Sequence, residues 1–296
     1  MRITRYAAAL AAAGVVLAGC SSEAGDQAED AAGNTVDVQE DVEFEAGTTM
    51  AELAEAGTIT VGTKFDQPGF GLVGPDGEPE GFDVEMAKIV AAELGIAPED
   101  IEWVETVSAN REPFLQNGQV DMVVATYTIN DARKEIIDFA GPYYEAGQDI
   151  MVAAGNPLGV TGPESFPDIR TCSVNGSTPA QYVQTNYPDA QLTLFGEYSQ
   201  CAEALRNGQV DAVTTDNVIL TGLVAQSDGD FELVGNAFTE EPYGIGIPKG
   251  DDEFRAFIND TLEEAYESGT WADAWDATAG AITDTEAPEP PAVDRY

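Results

Sequence analysis

Arg133 closes the run Thr126-Tyr127-Thr128-Ile129-Asn130-Asp131-Ala132-Arg133. Its position reads as the first turn of a helix, where the macrodipole disfavours a cation. A reason other than helix stability is needed to place it there. A planar guanidinium can make two charge-assisted hydrogen bonds to a carboxylate, and that chemistry supplies the reason. A second candidate is Asn175-Gly176-Ser177-Thr178-Pro179, which reads as a tight loop entering a helix with Thr178 as N-cap and Pro179 at the first helical position. Free N–H groups and a positive dipole at such a terminus suit an anion, although the loop reads equally well as a cap and nothing more. A third pair comes from a repeat. Residues 115–121 read Leu-Gln-Asn-Gly-Gln-Val-Asp and residues 205–211 read Leu-Arg-Asn-Gly-Gln-Val-Asp. Five residues past the repeated aspartates stand Thr126 and Asp216, a hydroxyl and a carboxylate at matching places.

The repeat also says what must position these groups. In each copy a helical stretch ends at Gly118 or Gly208, and a β-prone run follows, Met122-Val123-Val124-Ala125 or Ala212-Val213-Thr214. Strands alternating with helices predict two α/β lobes of related design. Ligands of open α/β sheets bind beyond the carboxyl ends of strands, so Thr126 and Asp216 are expected to face one another across a cleft. Ile59–Gly62 is predicted as a first strand, 81–94 as an amphipathic helix, 101–104 as a second strand and 252–268 as a late helix. Asp149–Val152 and Tyr243–Ile247 are extended runs placed where the chain would cross between lobes. The expected division is 1–19 signal, 20–56 flexible linker, 57–147 with 243–296 as lobe 1, and 148–242 as lobe 2.

Composition narrows the function. The 296 residues carry 12 basic and 54 acidic side chains, net charge -42, with hydrophobic residues at 43%, enough to bury a core in each lobe. That field repels nucleic acid and anionic surfaces, so polynucleotide binding is excluded. Histidine is absent, which removes imidazole-activated Ser or Cys nucleophiles and a histidine-ligated zinc. The chain begins with a basic Met-Arg-Ile-Thr-Arg, an apolar run and Leu17-Ala18-Gly19-Cys20, the pattern of a secretory signal too short for a membrane span. Cleavage before Cys20 resembles the bacterial lipoprotein signal and implies lipidation of that cysteine. Residues 21–56 hold eleven acids and no basic residue, a composition expected to stay flexible, as is the tail from Asp284. Cys172 and Cys201, in an extracytoplasmic compartment, most simply pair as a disulfide, two buried thiols being the alternative.

Several spaced motifs resemble one family. Gly81-Phe82-Asp83-Val84-Glu85-Met86-Ala87, the run from Thr126 to Arg133, Phe139 with Pro142-Tyr143, and Ser268-Gly269-Thr270-Trp271 are similar to the extracellular solute-binding proteins of polar amino-acid ABC transporters. Lys64-Phe65-Asp66-Gln67-Pro68, Ser108-Ala109-Asn110-Arg111 and the cysteine pair resemble its glutamate/aspartate branch, including actinobacterial glutamate-binding lipoproteins. The resemblance implies a periplasmic-binding-protein type 2 clamp: two α/β lobes, two hinge-crossing strands, and a ligand enclosed by closure. It implies that Arg133, with Thr126, Thr128 and Thr178, holds an α-carboxylate, that Asp216 holds an α-ammonium, and that Arg111 and Lys64, assisted by Ser108, hold a distal carboxylate. Lys64 stands where some relatives carry arginine, and lysine forms no bidentate fork. The implied partners are free L-glutamate or a related amino acid and an ABC permease, with a lipid anchor, a monomeric protein and no cofactor. Other functions open to the same fold are glutamine or asparagine binding, ligand sensing and a dehydratase-type enzyme.

Overall fold

The computed structural model describes residues 36–296, so the signal segment and Cys20 lie outside the described residues. Lobe 1 begins with α1 (Thr49–Ala56), β1 (Ile59–Thr63), β2 (Asp66–Gln67), β3 (Gly71–Val73), β4 (Pro79–Glu80) and α2 (Phe82–Glu93). It continues through β5 (Ile101–Glu105), α3 (Arg111–Gln116), β6 (Met122–Val123), α4 (Asp131–Lys134) and β7 (Asp138–Ala146). Lobe 2 holds β8 (Gln148–Ala153), β9 (Arg170–Val174), α5 (Thr178–Asn186), β10 (Gln191–Phe195), α6 (Tyr198–Arg206), β11 (Ala212–Asp216), α7 (Asn217–Ala225) and β12 (Phe231–Leu233). The chain then returns to lobe 1 as β13 (Glu241–Ile247), α8 (Asp252–Ser268), α9 (Thr270–Ala277) and α10 (Ala279–Thr283). Each lobe is built on a five-stranded mixed sheet, ordered β5-β1-β6-β13-β7 and β10-β9-β11-β8-β12.

The sequence repeat is a structural repeat. Gly118 and Gly208 adopt φ of +62° and +66°, the left-handed exit that ends α3 and α6 and that glycine takes at no steric cost. The aspartate that follows each glycine docks the next strand in the same way. Asp121 accepts from the Thr60 amide at 2.8 Å, and Asp211 accepts from the Arg170 amide at 2.9 Å. In consequence β6 lies parallel to β1 and β11 parallel to β9.

The two crossings run side by side. β7 and β13 pair antiparallel, with Glu241 opposite Ala146 and Tyr243 opposite Tyr144. Gly147, at the outward crossing, lies so close to the return segment that a Cβ would come within 2.7 Å of the Thr239 carbonyl oxygen. Aromatic rings brace this end of lobe 1: Trp275 stacks on Tyr144 at 5.0 Å, and the Trp271 indole donates to the Tyr143 carbonyl at 2.9 Å.

Three sequence expectations change. The linker expected over 20–56 is ordered from at least residue 36. Thr48 caps α1, Met50 and Leu53 are buried, the Gln39 amide donates to the Ala92 carbonyl, and Phe44 packs edge-on against Phe257 at 5.6 Å. The tail expected to fray lies on lobe 1. The Asp294 amide donates to the Gly141 carbonyl at 2.8 Å, Arg295 pairs with Asp260 and Glu263, and the Tyr296 ring sits beneath Lys134 and Arg255. Finally, α2 is buried over most of its circumference rather than along one stripe, because the sheet and the late helices α8 and α9 cover it from several sides.

Cys172 and Cys201 form a disulfide, Cα–Cα 5.6 Å, that ties α6 to β9 inside lobe 2. A loop of this length contributes roughly 3 to 4 kcal/mol in the chain-entropy model. Urea unfolding monitored by circular dichroism is expected to lose about that much stability on reduction. A midpoint unmoved by reductant contradicts a stabilising bridge.

Candidate functional site

Strand ends from both lobes meet at one place. Thr126 follows β6 and Asp216 ends β11. They line the same space between the lobes together with Ser108, Arg111, Thr128, Ser177, Thr178 and Tyr198. The lobes leave about 10 Å³ there, room for about one water molecule. A ligand of ten heavy atoms enters only when the lobes part. The space adjoins a cavity of about 380 Å³, lined by Arg133, Glu112, Asn130, Gly176 and Gln181 among others.

Lobe 1 supplies the cations. Lys64, Arg111 and Arg133 are 4%, 3% and 7% exposed. Arg111 donates to the carbonyls of Ala125 at 3.1 Å and Thr126 at 3.3 Å. Arg133 donates to the Thr128 carbonyl at 2.7 Å and, through Nε, to Glu112 at 3.2 Å. Both guanidinium groups also reach across the cleft to the Gly176 carbonyl, at 3.5 and 3.1 Å. Gly176 has φ of +80° and touches lobe 1, where a Cβ would meet the Ala109 Cα at 2.8 Å. Beneath the two arginines lies the buried ring of Tyr127, its centroid 4.2 Å from the Arg111 Cζ and 4.9 Å from the Arg133 Cζ. Lys64 donates to the Ser108 hydroxyl at 2.9 Å. Burial, then Arg111, lowers Lys64 to about 7, and burial with Arg111 lowers Arg133 to about 10.

Thr126 is held in an uncommon conformation, φ +44°, which costs a β-branched residue of order 1 kcal/mol or more. Asp83, fully buried at the start of α2, fixes it by accepting from the Thr126 amide at 2.7 Å, while its other oxygen accepts from the Tyr143 hydroxyl at 2.6 Å. The Thr126 hydroxyl donates to Gln67 at 3.0 Å. Burial pushes the Asp83 carboxyl up to about 7.

Lobe 2 supplies the acid and a helix start. Asp216 Oδ2 accepts from the Tyr243 hydroxyl at 2.7 Å, and its buried Oδ1 has no hydrogen-bond partner among the described residues. Burial, then the nearby Glu241 carboxylate, pushes Asp216 up to about 8. The cap of α5 differs from the expectation: Ser177, not Thr178, accepts from the Ala180 amide. Thr178 is therefore the first helical residue, and its hydroxyl is free to meet Thr128 at 3.2 Å across the cleft and to donate to Glu241 at 2.7 Å.

The profile of bacterial extracellular solute-binding proteins, family 3, matches residues 59–277. The chain belongs to this family. Glutamate-binding protein GluB of Corynebacterium efficiens is 43% identical over 236 residues, covering 77% of this chain and 80% of that protein. The ABC transporter glutamine-binding protein GlnH of Bacillus subtilis is 36% identical over 75% of this chain and 81% of its own length. Among solved structures, the solute receptor for L-cysteine of Neisseria gonorrhoeae superposes with a TM-score of 0.76 at 28% identity, covering 83% of this chain and 99% of that one. Membership and these neighbours establish the two-lobed α/β clamp predicted from sequence.

Of the residues singled out in the sequence of this family member, Ser108, Arg111, Thr126, Thr128, Thr178 and Asp216 share one space, and Lys64 reaches it through Ser108. Arg133 lines the adjoining cavity and joins the group through the Thr128 and Gly176 carbonyls. Asp83, Gln67, Tyr127, Tyr243 and Glu241 carry no sequence expectation of a role here, although the first three lie inside the spaced motifs that carry the family resemblance.

Asp216 sets an expected pH dependence. Its folded pKa lies above the unfolded value of 3.8, so between about 4 and 8 the folded protein holds a proton that the unfolded chain has lost. Stability from this group therefore falls as pH rises through that window and is flat above it. Asp216→Asn, which keeps an oxygen for Tyr243, is expected to be more stable than the parent at pH 8 by about 1 to 2 kcal/mol. The difference shrinks toward pH 4. Melting curves at both pH values check this, and a variant less stable than the parent at pH 8 contradicts it.

Proposed function

We propose that this protein is the substrate-binding component of an ABC importer for an acidic amino acid, L-glutamate first and L-aspartate second. The observation that carries the reading is the set of three buried cations in lobe 1 together with an Asp216 oxygen in lobe 2 that has no hydrogen-bond partner among the described residues. An amino acid presents an α-carboxylate, an α-ammonium and a side chain, and a closed site must satisfy each one after desolvation. In the proposed complex the α-carboxylate takes Arg133, Thr128 and the start of α5. The ammonium takes Asp216. The distal carboxylate takes Arg111 and the Lys64–Ser108 pair, a charge balance that an uncharged glutamine does not provide. The glutamate-binding relative supports this assignment, and the glutamine-binding relative sets the comparison to be made.

The cycle follows from the geometry. Ligand docks on lobe 1 while the lobes are apart, and closure brings Thr178 and Asp216 onto it. The closed surface is what a permease recognises, and no bond is made or broken, so the protein acts as a carrier rather than an enzyme. Ten heavy atoms suffice for micromolar affinity, about 8 kcal/mol. We further assign residues 1–19 as an export signal and Cys20 as a lipidated anchor to the outer face of the membrane.

Calorimetric titration with glutamate, aspartate and glutamine tests the reading. Glutamate is expected to bind most tightly, Arg133→Ala to weaken every ligand by about 3 to 5 kcal/mol, and Arg111→Ala to cost glutamate far more than glutamine. No heat with either acidic ligand, or equal losses for glutamate and glutamine in Arg111→Ala, overturns it.

A further inference from the structure

One motif of the sequence, Lys64 to Pro68, has a part that the ligand site does not use. Asp66, at the start of β2 in lobe 1, points across to lobe 2. Its Oδ2 accepts from the backbone amides of Tyr198 at 2.9 Å and Ser199 at 3.2 Å. These amides open α6, and an α-helix leaves its first N–H groups without intrahelical partners. The residue at the cap position, Glu197, makes no side-chain capping bond. The cap that α6 needs thus comes from the other lobe.

Two further features bear on the same turn. Gly222 of α7 in lobe 2 lies against Pro68, and a Cβ there would clash with the Pro68 carbonyl oxygen. Helix α6 is also fixed to the lobe 2 sheet by the disulfide, so its N-terminus moves with that lobe as one body. We propose that the turn Asp66–Pro68 is a closure latch, in which Asp66 caps α6 in trans and Pro68 seats on Gly222, and that this contact sets the balance between open and closed lobes. The proposal rests on the clamp cycle and not on which amino acid is carried.

An opposing force acts at the same place. Glu105 of lobe 1 feels both Glu197 of lobe 2 and Asp66, and burial, followed by Glu197 and Asp66, raises its carboxyl. Closure gathers like charges, so removing the Asp66 charge alone favours closing. Removing its capping oxygen favours opening. Asparagine caps helices about as well as aspartate, and alanine does not. The two substitutions therefore separate the cap from the charge.

Spin labels at Glu99→Cys in lobe 1 and Asp189→Cys in lobe 2, both exposed positions, report the distance between lobes by pulsed electron resonance. The ligand-free protein is measured, so a failure to bind glutamate leaves the test intact. Asp66→Ala is expected to lower the closed-to-open ratio about fivefold, the effect of a lost helix cap. Asp66→Asn is expected to match the parent or close further. Gly222→Ala is expected to open the lobes even though alanine is the better helix former, and it carries the test if Asp66→Ala does not fold. The proposal is overturned if the alanine variants show the parent's distances, if Asp66→Asn opens as far as Asp66→Ala, or if the parent shows only the long distance.

Discussion

Withdrawing Lys64, Arg111 and Arg133 from water between two lobes costs several kcal/mol per ion unless other groups replace the lost hydration. Much of the site's construction follows from that cost. Backbone carbonyls of Ala125, Thr126, Thr128 and Gly176 turn toward the guanidinium groups, the Tyr127 ring lies beneath them, and Glu112 supplies a carboxylate to Arg133. Compensation is partial, as the lowered pKa values of Lys64 and Arg133 record. In the proposed complex a ligand that brings two carboxylates completes it, so that charge, rather than shape alone, would be the basis of selection.

Presenting those carbonyls requires an unusual backbone, and the fold holds it from outside. Thr126 adopts a positive φ because Asp83 grips its amide and Gln67 its hydroxyl. Asp83 is placed by α2, whose burial on several sides leaves it little room to shift. The division of charge between lobes then has a mechanical consequence. The cations belong to lobe 1 and Asp216 to lobe 2, so the proposed ligand, a zwitterion with an acidic side chain, would bond to both only when the lobes joined by the paired strands β7 and β13 meet. In a chain of net charge -42, three of whose twelve basic side chains stand in this cleft, the local cations must overcome a repulsive field for an anion to enter.

Much of this was legible in the sequence because it depends on local rules. The repeated Asn-Gly-Gln-Val-Asp marks two helix ends and two strand starts, and counting from it is enough to place Thr126 and Asp216 at one shared space. What was not legible depends on tertiary contact. Asp83 in the first turn of a helix satisfies the dipole rule, so nothing local marks it as the support of Thr126. The cap of α5 was displaced by one residue because Ser177 and Thr178 cap equally well and proline is tolerated throughout the first turn. Residues 36–56 read as flexible because they are rich in acids, and 284–296 because of Pro288, Pro290 and Pro291, yet a few apolar side chains, Phe44, Met50, Leu53 and Tyr296, hold them against lobe 1. Gly222 carried no local signal either, since its need for glycine comes from the opposite lobe.

In the proposed complex the two carboxylates of an acidic amino acid are read by different cations of lobe 1 while Asp216 reads its ammonium group. A crystal structure of the protein with L-glutamate tests it most directly. The α-carboxylate is expected within hydrogen-bond distance of Arg133, the distal carboxylate on Arg111 and Lys64, and the ammonium on the Asp216 oxygen that lacks a partner among the described residues. A complex in which the distal carboxylate faces solvent, with Arg111 still bound to the carbonyls of Ala125 and Thr126, contradicts it.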